Sequence, residues 1–595
     1  MEIWLNYLDQ ILIFAAFAIS LNLLLGYAGQ VSVAHAAFGA IGGYTMGYLV
    51  SVQGWNFLPT ALVGMVLAFI VGSIVALPAL KLSVEYLILL TLAISFVIIG
   101  VFTTFPELGG TYGLINLPKA DIFGWTMQNP RDWVIPTLVL MAVTYAVCHR
   151  LGESAFGRVL KGIREDPQAT QALGKNVFAY KVAVFGITAG LAGLAGAFYS
   201  GWLQLATPSV YGFSFALTLF AIVIFGGMAN LTGSIVGAAA VTLLEPLLRR
   251  WVQLDPATAG LVQLVIYGVA LVLLMLLRPQ GVLPEGFSLI RRIRYGKPDL
   301  GRLEMGEMWE PKPSVQVHQP GSIDIDDAER ARERVRESVW QNADVVLEAR
   351  GISKRFGGIV AAESLDFDLR RGTITALVGP NGAGKTTVFN LLTGFIRPDR
   401  GSVRLNGVEL MGLSPDKVAR LGLVRSFQDV RLFNRISCLQ NVMLAVQHQP
   451  GENLAKLTLG GTAAGRGERV TRDKAMEWLA FVGMSDFANV PAGALSYGQT
   501  KLVSLARALA TEAEVLLLDE PASGIDTKWL DTMLDLVEAV REQGRTVCIV
   551  EHNLHVVGRL ADHTYFMELG RITAQGTIDE LTSSAELAEA YFGSV

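Results

Sequence analysis

Hydrophobic residues are distributed along this chain in two unlike ways. Over about the first 280 residues, long apolar stretches follow one another with few charges between them, and most have the length that lets a helix cross a bilayer. The candidate spans are Ile11–Tyr27, Val31–Val50, Leu58–Leu80, Leu87–Phe105, Val134–Val147, Val182–Trp202, Phe215–Phe225, Ile235–Leu248 and Leu261–Leu277, which predict eight or nine crossings. Several are short or rich in Gly and other small residues, a composition that favours close helix packing, with broken helices as the alternative. Beyond Leu277 the apolar signal stops. PEGF, GKPD, WEPKPS and HQPGSIDIDD mark a linker, and within it DDAERARERVRESVW alternates charge sign at helical spacing, the pattern of a short solvated or docking helix. From Val345 the charge density is that of a soluble α/β protein. The chain therefore divides at 1–283, 284–344 and 345–595.

Basic residues in the short loops orient the spans. Arg150, Arg158, Lys161, Arg164, Lys175 and Lys181 lie between the fifth and sixth candidates, and Arg278, Arg291, Arg292, Arg294 and Lys297 follow the last; both regions are expected on the cytoplasmic side. The loop from Pro106 to Trp133 carries only Lys119 and Arg131 and is expected outside. The N-terminus has no basic n-region, so its apolar stretch reads as a retained span. In the cytoplasmic loop, Asp166-Pro167, then QATQAL, then Gly174 gives the order N-cap acceptor, first-turn proline and C-terminal glycine, which predicts a short exposed helix. In the membrane half, Gln30, Ser32 and His35 interrupt the first two spans; they are candidates for a functional polar site, and a helix–helix hydrogen bond or an interfacial loop accounts for them as well. Glu245 and Arg249, four residues apart, read as a helix-end ion pair.

The 595 residues are 52% hydrophobic, an average over two different halves, and the net charge of -4 gives no support to nucleic acid as a partner. Three widely spaced cysteines, Cys148, Cys438 and Cys548, supply neither a disulfide framework nor a CxxC metal site.

The chemistry lies in the soluble half. GPNGAGKTT, Gly379 to Thr387, fits GxxxxGK[ST] between an apolar strand and an apolar helix, the context of a phosphate-binding loop. Gly379, Gly382 and Gly384 would let the backbone turn so that N–H groups of the loop, which also holds Pro380, Asn381 and Ala383, point at phosphate oxygens. Lys385 would reach the β and γ phosphates, Thr386 would offer its hydroxyl to Mg²⁺, and Thr387 would contact the γ-phosphate. VLLLDEP ends an apolar strand in two carboxylates: Asp519 to hold Mg²⁺ through water, and Glu520 to polarise the attacking water. His552, just past the strand TVCIV, can bond a γ-phosphate or the water near Glu520. Gln428, in RSFQD, can contact Mg²⁺ or water. Ser496, Gly498 and Gln499, in LSYGQ before a helical run, offer a second helix N-terminus to phosphate, and Asp526 follows in SGID. Phe356, in KRFGG, is either an adenine platform or a packed strand aromatic.

Taken in order, KRF, GPNGAGKTT, SFQ, LSYGQ, LLLDEP, SGID and EH resemble the ATP-binding cassette family over nearly all of Val345–Val595. RFGGIVAAESLDFDLRRG, LSYGQ, VEHNLHVV and AEAYFG resemble the ATPase subunits of branched-chain amino acid importers. LNLLLGYAGQVSVAHAAFGAIGGY, FGRVLKGIREDPQATQALG and AGLAGLAGAFYSGWL resemble the permease subunit of the same importers over Ile11–Leu283. Two departures are Thr500-Lys501-Leu502 in place of the usual basic run and Asn553 in place of the usual acid; the fusion itself departs from separate subunits.

The resemblance implies a polytopic α-helical membrane domain joined to an α/β ATP-binding cassette with a helical subdomain. It also implies ATP and Mg²⁺ as cofactors and a bacterial plasma-membrane location with the cassette cytoplasmic. Two cassettes sandwich ATP head to tail in that family, so Ser496, Gly498 and Gln499 would serve nucleotide on a partner. A second permease and a second ATP-binding subunit are implied, different subunits or another copy, together with an external substrate-binding protein. The helix at Asp166–Gly174 resembles the coupling helix that docks on a cassette. The alternatives are an exporter half, against which the short loop at 150–181 argues, and a membrane ATPase that does not transport.

Overall fold

The computed structural model describes residues 2–79, 84–252, 281–285, 336–454 and 461–582, with scattered positions between 258 and 276 and at Leu457. The chain falls into two compact units: Met1–Arg164 with Val177–Glu304, and Glu165–Asn176 with Met305–Val595.

The first unit is helical. Its helices are α1 (Glu2–Asn22), continued by a π-helical turn Leu23–Tyr27, then α2 (His35–Gln53), α3 (Phe57–Ala79), α4 (Val84–Thr104), α5 (Pro130–Gly152) and α6 (Ala155–Glu165). After an excursion into the second unit they resume as α8 (Val177–Leu203), α9 (Phe213–Gly226) and α10 (Leu231–Val252). Among the described residues, five helices are long and apolar enough to cross a membrane: Glu2–Tyr27, Phe57–Pro78, Glu85–Thr104, Pro130–Gly152 and Val177–Leu203. The candidate Leu261–Leu277 lies largely outside the described residues, as do the side chains of Glu245 and Arg249.

Small residues bring α2, α3 and α8 together. A Cβ at Gly42 would lie 1.8 Å from the Gly193 carbonyl oxygen, so the α2 and α8 backbones approach as only glycine permits. One polar hub closes the unit: the buried Asn22 amide donates to Gly227 O, Asn230 O and Ser234 Oγ, and its Oδ1 accepts from Ala229 N–H. The π-turn thereby abuts the break between α9 and α10. At 14 residues α9 rises only about 21 Å, short of a full crossing, which makes that break a discontinuous-helix feature. Of the polar interruption, His35 Nε2 meets Ser20 Oγ at 2.9 Å and Gln30 donates to the Ala28 carbonyl, while Ser32 Oγ and His35 Nδ1 are buried without a hydrogen-bond partner.

In the second unit a mixed sheet carries the centre. Its strands are β1 (Val345–Phe356), β2 (Ile359–Arg370), β3 (Ile374–Val378), β4 (Arg400–Leu405), β5 (Val408–Glu409), β6 (Leu423–Arg425), β7 (Val515–Asp519), β8 (Thr546–Val550), β9 (His563–Glu568) and β10 (Arg571–Gly576). One sheet has the order β6-β7-β8-β3-β9-β10, parallel except for β10; the other, β2-β1-β4-β5, is antiparallel. β3, β7 and β8 are buried along their whole length, as uninterrupted apolar runs in a parallel sheet require. Helices α11 (Lys385–Leu392), α12 (Pro415–Arg420), α13 (Cys438–Ala445), α14 (Gly461–Phe481), α15 (Tyr497–Leu509), α16 (Thr527–Glu542) and α17 (Leu554–Leu560) complete the cassette, with α13, α14 and α15 packed as a helical subdomain. The linker segment Asp326–Trp340 is described only from Arg336, where it is helical, and Trp340 stacks on His563 at 3.7 Å.

The second unit also holds the short helix α7 (Pro167–Ala172). Asp166 caps it, its carboxylate accepting from the N–H groups of Gln168 and Ala169, and Gly174 ends it at φ 78°. Arg431 reaches Asp166 and Gln168, Arg435 N–H donates to Glu165, Gln447 donates to Leu173 O, and Arg420 donates to Gly174 O.

Candidate functional site

In a parallel sheet the carboxyl ends of the strands share one edge, and ligand-binding loops leave from it. Here β3 runs into Gly379–Thr387, β6 into Gln428, β7 into Asp519 and Glu520, and β8 into Glu551 and His552. Register puts Asp519 beside Val550 and Val550 beside Leu377, so three of these loops leave from one level.

The phosphate loop is shaped by its glycines. Gly384 has φ 105°, and a Cβ there would sit 2.4 Å from the Ala361 carbonyl oxygen; Gly379 has φ 149° and would meet Met567 O at 2.0 Å. Pro380, Asn381, Gly382 and Ala383 form the turn between them, and α11 starts at Lys385 with Thr386 exposed and Thr387 half-buried in its first turn. Lys385 Nζ donates to Gly379 O at 2.6 Å and Pro380 O at 2.9 Å, folded back into the loop that its ammonium is expected to share with phosphate. Burial lowers its pKa, opposed by Glu520 and Asp519.

Asp519 is buried and held from two sides. Its N–H donates to Ser426 Oγ at 2.9 Å, and Arg425 Nη2 lies 3.4 Å from Oδ2, while Arg425 Nη1 bonds Asn390. Oδ1 is buried without a hydrogen-bond partner, which suits a hydrated divalent cation. Burial raises the carboxyl to about 6 against the pull of Arg425. Burial likewise lowers Arg425 to about 10. Glu520 takes a left-handed backbone, φ 47°, uncommon for a non-glycine residue and held here by its N–H to Val550 O at 2.9 Å. His552 Nδ1 lies 3.9 Å from Glu520 Oε1.

Lys501 completes this grouping. Its buried ammonium donates to Glu520 O at 2.8 Å and to Gln428 O at 3.5 Å, joining the loops after β6 and β7. Burial lowers its pKa, opposed by Glu551, Glu520, Asp519 and Asp429. Sequence reasoning noted this lysine as a departure from a pattern and missed its role. The signal was its place one turn before Leu505 on the buried face of α15. Arg425, Ser426 and Glu551, which accepts from Ala522 N–H, were missed too, since their partners lie far away in sequence.

Other expected residues stand apart. Ser496 caps α15 in a reciprocal box with Gln499, and a Cβ at Gly498 would contact the Trp529 ring at 3.1 Å; Asp526 begins α16 just before Trp529. Gly498 and Asp526 thus meet at Trp529, whose N–H donates to Asp526 O at 2.8 Å. Phe356 is an exposed ring at the end of β1 with Lys354 Nζ 5.5 Å from its centroid, so the packed-aromatic alternative does not hold. The Gln428 side chain is exposed.

The family description "Branched-chain amino acid transport system / permease component" matches residues 3–275, and "ABC transporter" matches residues 362–523. The chain is similar to the high-affinity branched-chain amino acid transport ATP-binding protein BraF of Pseudomonas aeruginosa, 37% identical over 249 residues, which are 42% of this chain and 98% of that protein. It is similar to LivG of Escherichia coli K12, a protein of the same description, 35% identical over 249 residues with the same coverage of 42% and 98%. A crystal structure of a nucleotide-free ATP-binding cassette from an ABC transporter is 30% identical, covering 42% of this chain and 100% of that one at a TM-score of 0.37. With a permease family over its apolar helices and nearly the full length of an ATP-binding component over its cassette, the chain belongs to the ABC transporters of the branched-chain amino acid type, permease and ATPase fused in one polypeptide.

Proposed function

We propose that the chain is the permease–ATPase subunit of an importer that spends ATP to take up branched-chain amino acids or related small polar and amphipathic solutes. The observation that carries this reading is the seating of residues 165–176, a loop between the amphipathic helix α6 and the apolar helix α8 in the region that the permease family matches, within the cassette unit. A segment covalently tied to α6 and α8 and gripped by Arg420, Arg431 and Gln447 gives cassette motion a route to the membrane helices. The similarity to high-affinity branched-chain amino acid transport ATP-binding proteins supports the substrate class.

In this reading the domains are 1–283, 284–344 and 345–595, and the cassette faces the cytoplasm of a bacterial plasma membrane. Gly379–Gly384 and Lys385–Thr387 hold the phosphates, and Phe356 stacks on adenine. Thr386, Gln428 and Asp519 hold Mg²⁺, which when bound neutralises charge on the β and γ phosphates. Glu520 accepts a proton from the attacking water, and His552 steadies the γ-phosphate. Asp526 belongs to the nucleotide site, and Ser496, Gly498 and Gln499 serve the nucleotide of a second cassette, because one chain contributes one phosphate loop and one LSYGQ. The assembly therefore includes a second permease and a second ATP-binding subunit, different subunits being favoured, with an external binding protein that delivers substrate.

The test is reconstitution of the chain with its co-purifying subunits and binding protein in proteoliposomes. ATP on the cassette side should drive accumulation of labelled leucine, isoleucine or valine. Efflux, or ATP turnover indifferent to loaded binding protein, overturns the importer reading.

A further inference from the structure

Lys175 reads in the sequence as one of six loop cations that mark a cytoplasmic face, yet it is among the most deeply buried charged residues of its unit. Its side chain is 1% exposed, and Nζ donates to Glu452 Oε1 at 2.6 Å and to Val446 O at 2.8 Å. Val446 is the residue that follows α13, so the ammonium sits at the negative end of that helix as well as against a carboxylate. Glu452 closes the turn Pro450–Glu452, whose position is fixed by Gln449 donating to Met443 O and Val446 O.

The opposite end of the docked segment has the opposite polarity. Glu165 and Asp166 face Arg435 N–H and the Arg431 guanidinium, with Arg431 and Asp166 side chains 35% and 26% exposed. Such half-exposed contacts are screened and discriminate weakly. A buried ammonium discriminates strongly: a cassette offering an apolar or basic group in place of Glu452 would leave it buried without its carboxylate, a penalty no surface pair offsets.

We propose that Lys175 and Glu452 are a recognition key by which this segment accepts the cassette of its own chain and refuses one without an acid at that position. The need for such a key rests on the reading above, in which a second, different cassette shares the assembly. Fusion keeps the right cassette nearby, and the key decides which groove the segment enters.

The test uses the full chain in lipid nanodiscs, with amide hydrogen exchange of residues 168–174 as the readout and binding of a fluorescent ATP analogue as the check on cassette folding. Lys175→Glu and Glu452→Lys should each speed exchange at least tenfold, and the double reversal should recover part of that loss, the Val446 carbonyl still lacking its donor. Single variants as protected as the parent, or a double variant as loose as the singles, overturn the key. Should a reversal abolish analogue binding, Lys175→Met decides, because it removes the deeply buried ammonium and leaves only the partly exposed Glu452 carboxylate: faster exchange supports the key and parental exchange overturns it. The readout needs neither substrate nor binding protein, so a failed uptake assay refutes the importer and leaves this result standing.

Discussion

Gly174→Val tests whether the docked segment transmits force or merely connects two helices. Gly174 has φ 78°, and a Cβ there would lie 2.9 Å from Gln447 Oε1, 3.1 Å from Gln447 Nε2 and 3.3 Å from Arg420 Cγ. Two costs add. A β-branched residue in the left-handed region loses about 1–2 kcal/mol. Its methyls would also push Gln447 and Arg420 from their bonds to Leu173 O and Gly174 O, now 2.7 and 2.8 Å, at a net cost of about 0.5–1.5 kcal/mol each. The total is about 2–5 kcal/mol against the docked state, a fall of roughly 30-fold or more in the docking equilibrium. The nucleotide loops are not among the displaced groups, so analogue binding and basal ATPase should stay near parental values. Substrate moved per ATP hydrolysed in proteoliposomes should fall at least tenfold. Gly174→Ala keeps the backbone strain with the smallest side chain and should fall between the two. Parental transport stoichiometry in Gly174→Val would refute the coupling role of the segment.

Three further outcomes follow from the cassette. Glu520→Gln should retain ATP binding and lose about 10²- to 10⁴-fold in turnover; hydrolysis within about threefold of the parent would remove Glu520 from the base role. Lys385→Ala should weaken nucleotide binding about 10- to 100-fold in a fluorescence titration, the scale of a lost charge-assisted bond, and unchanged affinity would count against the phosphate loop. Lys501→Met should lower kcat about 10- to 100-fold with little change in KM, because it frees the Glu520 and Gln428 carbonyls from their shared donor. Lys501→Arg should recover part of that loss, and an unaltered kcat in the Met variant would show that the tie is incidental.

Features legible in the sequence were those in which residue identity alone constrains the backbone. Glycine at 379 and 384 is required by φ angles of 149° and 105° together with a carbonyl oxygen in the way of any Cβ. Asp166-Pro167 with Gly174 likewise forecast a cap, a first turn and a left-handed end. Features that depend on distant partners were not legible. Hydropathy started the first span at Ile11, whereas α1 starts at Glu2, because Asp9 is buried with its Oδ1 accepting from Thr137 Oγ1 at 3.0 Å. Lys175 was counted as a loop charge, since nothing local announces that Val446 and Glu452, more than 270 residues away, enclose it.

The helix α15 draws these threads into one mechanical element. Its cap, Ser496, belongs to the group proposed to serve a second cassette's nucleotide, and its body carries two buried cations. Lys501 donates to the carbonyl of Gln428 and Arg507 to that of Arg431 at 2.6 Å, so both ends of the Gln428–Arg431 stretch are bolted to the same helix. Six residues apart, the two cations are separated by about 9 Å of rigid helix. Burial holds the Arg507 guanidinium down at about 10, with Asp166 pulling the other way, so the field of the docked helix cap reaches α15 itself. Arg431 in turn grips Asp166 and Gln168. A displacement of α15 therefore cannot leave the Gln428–Arg431 stretch behind without desolvating two carbonyls and two cations, and Arg431 cannot follow without drawing on the segment between α6 and α8. The cost of breaking that chain at any one bond, rather than the strength of a particular contact, is what would make nucleotide closure and membrane movement a single event.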